Sequence, residues 1–199
     1  LPKPLSNGNV FTLKTLSDGM FLRNHIIHMF ETADTELDSE RQDCLLTFVV
    51  VGGGSTGVQF ATEMRDFIHR FLLRSYPRVQ ASRVHILLIH DKNFLLEGMD
   101  EKLGAYALDC LHRKGIDVRL NTRVEGVTSN GLQLAGQGEI STCTVIWATG
   151  GKVNPLIADL PSGKDRINRI MVNEYLEVPA FPGVYALGDN IHIKDSRWA

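Results

Sequence analysis

One stretch limits the fold more than any other: FVVVGGGSTGVQFATEM, residues 48 to 64, takes a β-branched run through three glycines into an apolar segment of helical period. That order is the strand, tight turn and helix that open a βαβ unit. Gly52, Gly54 and Gly57 satisfy G-x-G-x-x-G directly after the strand and directly before the helix. In such a motif the first glycine permits the sharp turn, the second lets backbone approach a pyrophosphate, and the third lets helix pack close to strand. Ser55 and Thr56 lie between the last two glycines, where a helix N-terminus presents free N–H groups and about half a positive charge. A dinucleotide is the ligand such a turn takes; a glycine-rich turn without a ligand is the alternative.

The flanking pattern predicts an α/β fold. Residues 17 to 34 space Phe21, Leu22, His25, Ile26, Met29 and Phe30 as one amphipathic helix, with Ser17 or Asp18 as its N-cap. The polar run DTELDSERQD, residues 34 to 43, precedes the strand LLTFVVV and suggests a domain boundary near residue 44. After the glycines, helical spacing continues to Tyr76-Pro77, and RVHILLI, residues 83 to 89, follows as a strand. Residues 101 to 114 predict a second helix ended by Gly115, with IDVRL as a short strand behind it. Between 122 and 150 short alternating segments are joined by Asn130-Gly131 and Gly136-Gln137-Gly138, which are hairpin signals. MVNEYLEV and GVYAL are expected as two further strands separated by PAFPG. The whole is a Rossmann-like three-layer NAD-binding domain with a β-meander crossover.

Charge and cysteine usage exclude several functions. With 21 Lys+Arg against 23 Asp+Glu and no like-charge run, nucleic acid is not an expected partner. The cysteines, Cys44, Cys110 and Cys143, are odd in number, far apart and without metal-ligand spacing, so reduced thiols with packing roles in a cytoplasmic protein are expected. No apolar run reaches the roughly 18 residues that a membrane helix needs. The N-terminus LPKPLSNGNVF begins without Met and reads as the middle of a longer chain. His25 and His28, at i and i+3, are expected to be ordinary helix histidines, and Trp147 a core residue.

A dinucleotide fold of this kind places an acid at the end of its second strand to bind ribose hydroxyls. Here that strand ends Ile89-His90-Asp91, making Asp91 the candidate contact and His90 a second.

VVVGGGSTGVQFATE, VHILLIHDKNFLL, TVIWATGGKVNP and GVYALGDN, in this order and spacing, resemble type II NADH dehydrogenases, the single-subunit NADH:quinone oxidoreductases of the two-dinucleotide-binding flavoprotein superfamily. FTLKTLSDGMFLRNHIIHMFE is similar to that subfamily's lead-in helix, and RDFIHRFLLRSYP to its long helix after the glycines. The resemblance implies that Gly52, Gly54 and Gly57 hold the NADH pyrophosphate and that Thr149 and Gly150 form the turn back toward a flavin domain. It also implies that Gly188 and Asp189 form the pair whose acid hydrogen-bonds the ribitol of FAD. Residues 1–43 would then be a flavin-domain remnant with the lead-in helix, 44–150 the NADH-binding domain, and 151–199 a second flavin-domain remnant.

The sequence also departs from the family. A first glycine motif for FAD, the segment after the Gly-Asp pair and the membrane-associating helices are not in this chain, which implies a fragment. Gln59 stands where the family has a glutamate near flavin and acceptor, and His90 stands at the family's acidic strand end. The expected reaction is hydride transfer from NADH to FAD and on to a quinone or another acceptor. The parent would lie peripherally on the cytoplasmic side of a membrane, and a homodimer is compatible with it. A ferredoxin reductase, a sulfide:quinone reductase and a non-catalytic nucleotide-binding scaffold are the alternative readings.

Overall fold

The structure is a computed structural model describing residues 8–150 and 155–193, which divide into a unit from Leu1 to Thr149 and a unit from Gly150 to Ala199. The first unit is organised by β2 (Thr47–Val51), whose sequence TFVVV is buried along its whole length. Such a strand is stable only in the middle of a sheet covered on both faces. β2 pairs in parallel with β3 (His85–Ile89) on one side and β8 (Thr144–Trp147) on the other. β4 (Asp117–Arg119) and β1 (Val10–Thr12) complete the parallel order β1-β8-β2-β3-β4.

Side-chain alternation on these strands builds two cores. Phe48 and Val50 of β2, Ile86 and Leu88 of β3 and Ile146 of β8 face one way, against Leu22, Ile26, Met29 and Phe30 of α1 (Leu16–Thr35) and against Leu46 of α2 (Ser39–Leu46). Ala61 and Met64 of α3 (Ser55–Phe67) and Ala107 and Leu111 of α5 (Glu101–Arg113) join that layer. Val49, Val51, Leu87, Ile89 and Val145 face the other way, against Leu132 and Leu134 of a three-stranded antiparallel meander. The meander consists of β5 (Val124–Val127), β6 (Gly131–Leu134) and β7 (Gly138–Ser141). Helices, parallel sheet and meander are thus the three layers read from the pattern. Phe48 is fully buried and stacks on Phe30 at 6.1 Å, so Phe48→Ala is expected to cost about 3–5 kcal/mol.

Several local details differ from the sequence reading. α1 is capped by Thr15, whose hydroxyl accepts from Asp18 N–H at 3.1 Å. The Asp18 carboxylate accepts in return from Lys14 and Thr15 N–H at 2.8 and 3.0 Å, which holds its pKa below the ordinary value. Asp18 is therefore the third residue of a capping box and Ser17 lies inside the helix. Leu45 and Leu46 close α2, and β2 starts only at Thr47. The polar run at 34–43 forms the end of α1, its link to α2 and the start of α2; β1 and α1, on its N-terminal side, share sheet and core with everything up to Thr149. α3 passes through a π-helical turn at Ile68–Leu72 into α4 (Leu73–Ser75), and the helical run ends before Pro77.

The second unit packs Ile170 and Val172 of β9 (Ile170–Val172) with Val178, against the partly buried Ile191 and Ile193 of β10 (Ile191–Ile193). β9 and β10 pair in parallel, and α6 (Pro155–Asp159) precedes them. GVYAL, expected as a strand, contributes only an isolated bridge from Tyr185 to Glu177, while the strand partner of β9 is the later Ile191–Ile193. Leu176, at φ +64, takes the chain out of extended conformation directly before Glu177, so the pairing is limited to the bonds from Val178 N–H to the Val184 carbonyl at 2.8 Å and from Ala186 N–H to the Leu176 carbonyl at 3.0 Å.

Candidate functional site

The parallel order reverses at β2 and β8. From β2 the chain moves outward through β3 to β4, whereas β8 and β1 occupy the other side. At such a switch point the loops leaving the two strands diverge and open a crevice outside their C-terminal ends. Here those loops are Gly52–Gly54 and Ala148–Thr149, held together by a 2.8 Å bond from Ala148 N–H to the Val51 carbonyl.

Each glycine in the first loop meets a different constraint. Gly52 has φ +123 and donates its N–H to the Ile89 carbonyl at 2.8 Å. A β-carbon there would lie 2.8 Å from the Thr149 methyl and 2.9 Å from the Ala148 carbonyl carbon, so both backbone conformation and space demand glycine. Gly57 is constrained still further, because a β-carbon would stand 1.8 Å from the Gly52 carbonyl oxygen. Gly54 is exposed, at φ −74, and a β-carbon on it would touch nothing within 4 Å. The first and third glycines let the loop close on itself, and the second leaves its outer side open.

That open side is the N-terminus of α3. The N–H groups of Ser55, Thr56 and Gly57 have no carbonyl within their own helix. Gly54 at the N-cap supplies no side chain, and no acid stands in the first turn. By contrast α1, α2 and α5 are each capped by a side chain, Thr15, Asp38 and Asp100, and each carries an acid in its first turn. An anion is the group that satisfies the bare N–H groups of α3 and its positive end. Ser55 and Thr56 are exposed beside it.

β3 delivers His90 and Asp91 to the same edge but in different roles. The His90 side chain, one-tenth exposed, lies beneath Gly53, where a β-carbon would approach the ring at 2.7 Å and Leu95 at 2.6 Å. Among the described residues neither ring nitrogen has a hydrogen-bond partner, and the nearest Asp91 oxygen, at 3.5 Å, is too far for one. The Asp91 carboxylate is 55% exposed, so it is open to solvent where the His90 ring is buried. Gly53, an unassigned position in the motif, is constrained by the side chains beneath it, unlike Gly54. Its carbonyl also accepts from Leu96 N–H at 2.8 Å, tying the 91–100 loop to the glycine turn.

Gln59 is exposed on α3, two residues beyond Gly57, and Thr149 is exposed at the end of β8. Gly150 follows with φ +73. In the second unit Gly188, at φ +72, and Asp189 form an exposed 3-10 turn with Asn190. His25 donates to or accepts from the Thr144 hydroxyl at 2.9 Å, and His28 pairs with Glu31. Trp147 packs half-buried against the meander core. Cys44 and Cys143, 99 positions apart, bring their sulfurs to 2.9 Å.

Residues 7–197 match the family model described as pyridine nucleotide-disulphide oxidoreductase. The chain belongs to that family. It is 32% identical over 191 residues to a probable NADH dehydrogenase of Dictyostelium discoideum, covering 96% of this chain and 42% of that protein. It is 35% identical to the external alternative NAD(P)H-ubiquinone oxidoreductase B2, mitochondrial, of Arabidopsis thaliana, covering 91% and 32%. With the type II NADH:quinone oxidoreductase Ndh of Mycobacterium tuberculosis it shares 29% identity over 89% of this chain and 40% of that one. The chain thus spans well under half the length of these curated relatives. Among solved structures, NDH2 from Plasmodium falciparum in complex with NADH superimposes with a TM-score of 0.78 at 24% identity, over 94% of this chain and 40% of that one. A ferredoxin reductase from Rhodopseudomonas palustris gives 0.67 at 19%, over 97% and 41%. Both show the shared fold.

Proposed function

We propose that this chain is the NADH-binding segment of a type II NADH:quinone oxidoreductase, a flavoprotein that takes hydride from NADH onto FAD and passes the electrons to a quinone. The observation that carries this reading is the loop at the switch point: Gly52 and Gly57 closed on each other, Gly54 open, and behind them a helix N-terminus with no side-chain cap among the described residues. The NADH diphosphate would lie over Gly54, accepting hydrogen bonds from the first-turn N–H groups of α3. Asp91 would accept hydrogen bonds from ribose hydroxyls, and the Ala148–Thr149–Gly150 turn would border the nicotinamide half. These contacts supply position and charge compensation.

FAD, when bound in the parent, supplies the electron relay between nicotinamide and acceptor. In this chain Asp189, exposed on a 3-10 turn, would accept a hydrogen bond from a ribitol hydroxyl. Residues 151–199 accordingly belong to the flavin-binding part. Gln59 keeps hydrogen-bonding ability near the reacting rings without an ionisable proton. The names of the Arabidopsis and Mycobacterium relatives favour the quinone reductase over the ferredoxin and sulfide alternatives. Among the described residues no helix is long and apolar enough to cross a membrane.

Gly54→Val tests the reading, because a β-carbon there meets no protein atom within 4 Å and the branched side chain would stand on the open side of the loop. By calorimetric titration the chain is expected to bind NADH and the variant to bind it at least about tenfold more weakly, a loss of about 1.4 kcal/mol. An unaltered unfolding midpoint would show that the fold survives. Equal affinity in the two proteins would refute the assignment.

A further inference from the structure

At the end of β2 and β8 opposite the glycine loop, two thiols meet. Cys44 lies in the last turn of α2, and Cys143 in the two-residue link from β7 to β8. Their sulfurs are 2.9 Å apart, and Cys143 N–H donates to the Cys44 carbonyl at 3.1 Å. The backbone bond holds the two residues side by side as hydrogen-bonded neighbours. The sulfur separation is then within about 0.9 Å of the roughly 2.05 Å of a covalent S–S bond, closer than two non-bonded sulfurs rest. Cys44 is 9% exposed, whereas Cys143 is half-buried and open to solvent on one side. Cys110, on α5, accepts instead from Arg113 at 3.2 Å.

We propose that Cys44 and Cys143 form a reversible intramolecular disulfide, made by exchange with a small-molecule disulfide of the glutathione type. In the first step Cys143 gives up its thiol proton and its thiolate attacks one sulfur of the small disulfide. The small molecule's S–S bond breaks, one glutathione leaves as thiolate and takes up the proton. In the second step Cys44 loses its proton and attacks Cys143 Sγ, releasing the second glutathione, which is protonated in turn. Two protein thiols are oxidised, one glutathione disulfide is reduced to two glutathione thiols, and no proton is gained or lost overall.

The contact geometry favours the second step over any competing fate, because Cys44 already lies in contact with the sulfur it must attack. Burial pushes the Cys143 thiol up to about 12, with the Cys44 sulfur adding to the effect. The first step is therefore slow at neutral pH, which suits a slow response to sustained oxidation rather than a turnover step. The crosslink closes a long loop, from the entry of β2 to the entry of β8. Such a constraint on the unfolded chain raises Tm by on the order of 10 °C. Because the nucleotide loops leave the opposite ends of these strands, NADH affinity is expected to change by less than about twofold.

The test incubates the full chain with glutathione disulfide and reads intact mass, peptide map and thermal unfolding. Expected are a loss of two hydrogen masses without a retained adduct, a disulfide-linked peptide pair containing Cys44 and Cys143, and a rise in Tm that dithiothreitol reverses. Cys110→Ser should behave identically, and Cys44→Ser should retain glutathione on Cys143. Persistent glutathione on wild-type Cys143, both thiols still free, a link to Cys110, or a Tm that does not rise would each overturn the proposal. The outcome is independent of whether the chain binds NADH.

Discussion

Gly57→Ala should damage the fold and the nucleotide site together, and the size of the effect follows from one distance. A β-carbon at this position would stand 1.8 Å from the Gly52 carbonyl oxygen, and real β-carbons essentially never come within 3.0 Å of such an atom. The loop and α3 must therefore separate by about 1.2 Å. Neither side yields easily: Gly52 is bonded to Ile89 and wedged against Thr149 and Ala148, while α3 is anchored in the core by Ala61 and Met64. Overpacking of this kind costs about 1–3 kcal/mol, and two rigid partners place it near about 3 kcal/mol. For a chain of this size that lowers Tm by roughly 6–12 °C. Gly54→Ala is the internal control: its β-carbon meets nothing, so its effect should stay within about 1 kcal/mol of zero, set by a weaker N-cap against lower unfolded-state entropy. Urea unfolding followed by circular dichroism measures both. Equal losses in the two variants, or a Gly57→Ala midpoint unchanged from wild type, would refute the close-approach argument.

Asp91→Ala should narrow the preference for NADH over NADPH, because the exposed carboxylate that would repel a 2′-phosphate is removed; paired calorimetric titrations check this, and an unchanged ratio would exclude Asp91 as the ribose contact. In the full-length parent, Gln59→Glu is expected to leave flavin reduction by NADH nearly unchanged in stopped flow while altering the pH profile of quinone-linked reoxidation; identical profiles would remove Gln59 from the acceptor half-reaction. Burial lowers the pKa of His25 below its ordinary 6.5, partly opposed by a bond to the Cys143 backbone, so the unfolded chain takes up this proton first. Its stabilising contribution is complete above about pH 6.5 and is lost as pH falls through the folded-state value; urea midpoints at pH 5 and 8 should differ less in His25→Gln than in wild type.

The parts legible in the sequence were those set by local pattern. The TFVVV run required a covered central strand, the glycine spacing fixed the turn, and the alternating segments after residue 122 gave the meander. What depended on distant neighbours was not legible. Gly53 carries no motif, and only the fold shows His90 and Leu95 packed beneath it. His90 and Asp91 are adjacent in sequence but differ in burial, one ring one-tenth exposed beneath Gly53 and one carboxylate 55% exposed, and only the fold shows which is which. β1 has only three residues, too few for a periodic signal, and owes its place in the sheet to Val145, Ile146 and Trp147. The Cys44–Cys143 contact follows from β2 and β8 being sheet neighbours, which no spacing rule reveals.

The central claim is that a dinucleotide's diphosphate rests on the N-terminus of α3 at the β2–β8 switch point. Amide resonances of the labelled chain, followed during titration with NADH, test it residue by residue. The largest shifts should fall on Gly54, Ser55, Thr56 and Gly57, with smaller ones at Asp91 and Thr149, and Gly54→Val should abolish them. Saturating shifts confined to other elements, or none at millimolar NADH, would contradict the account.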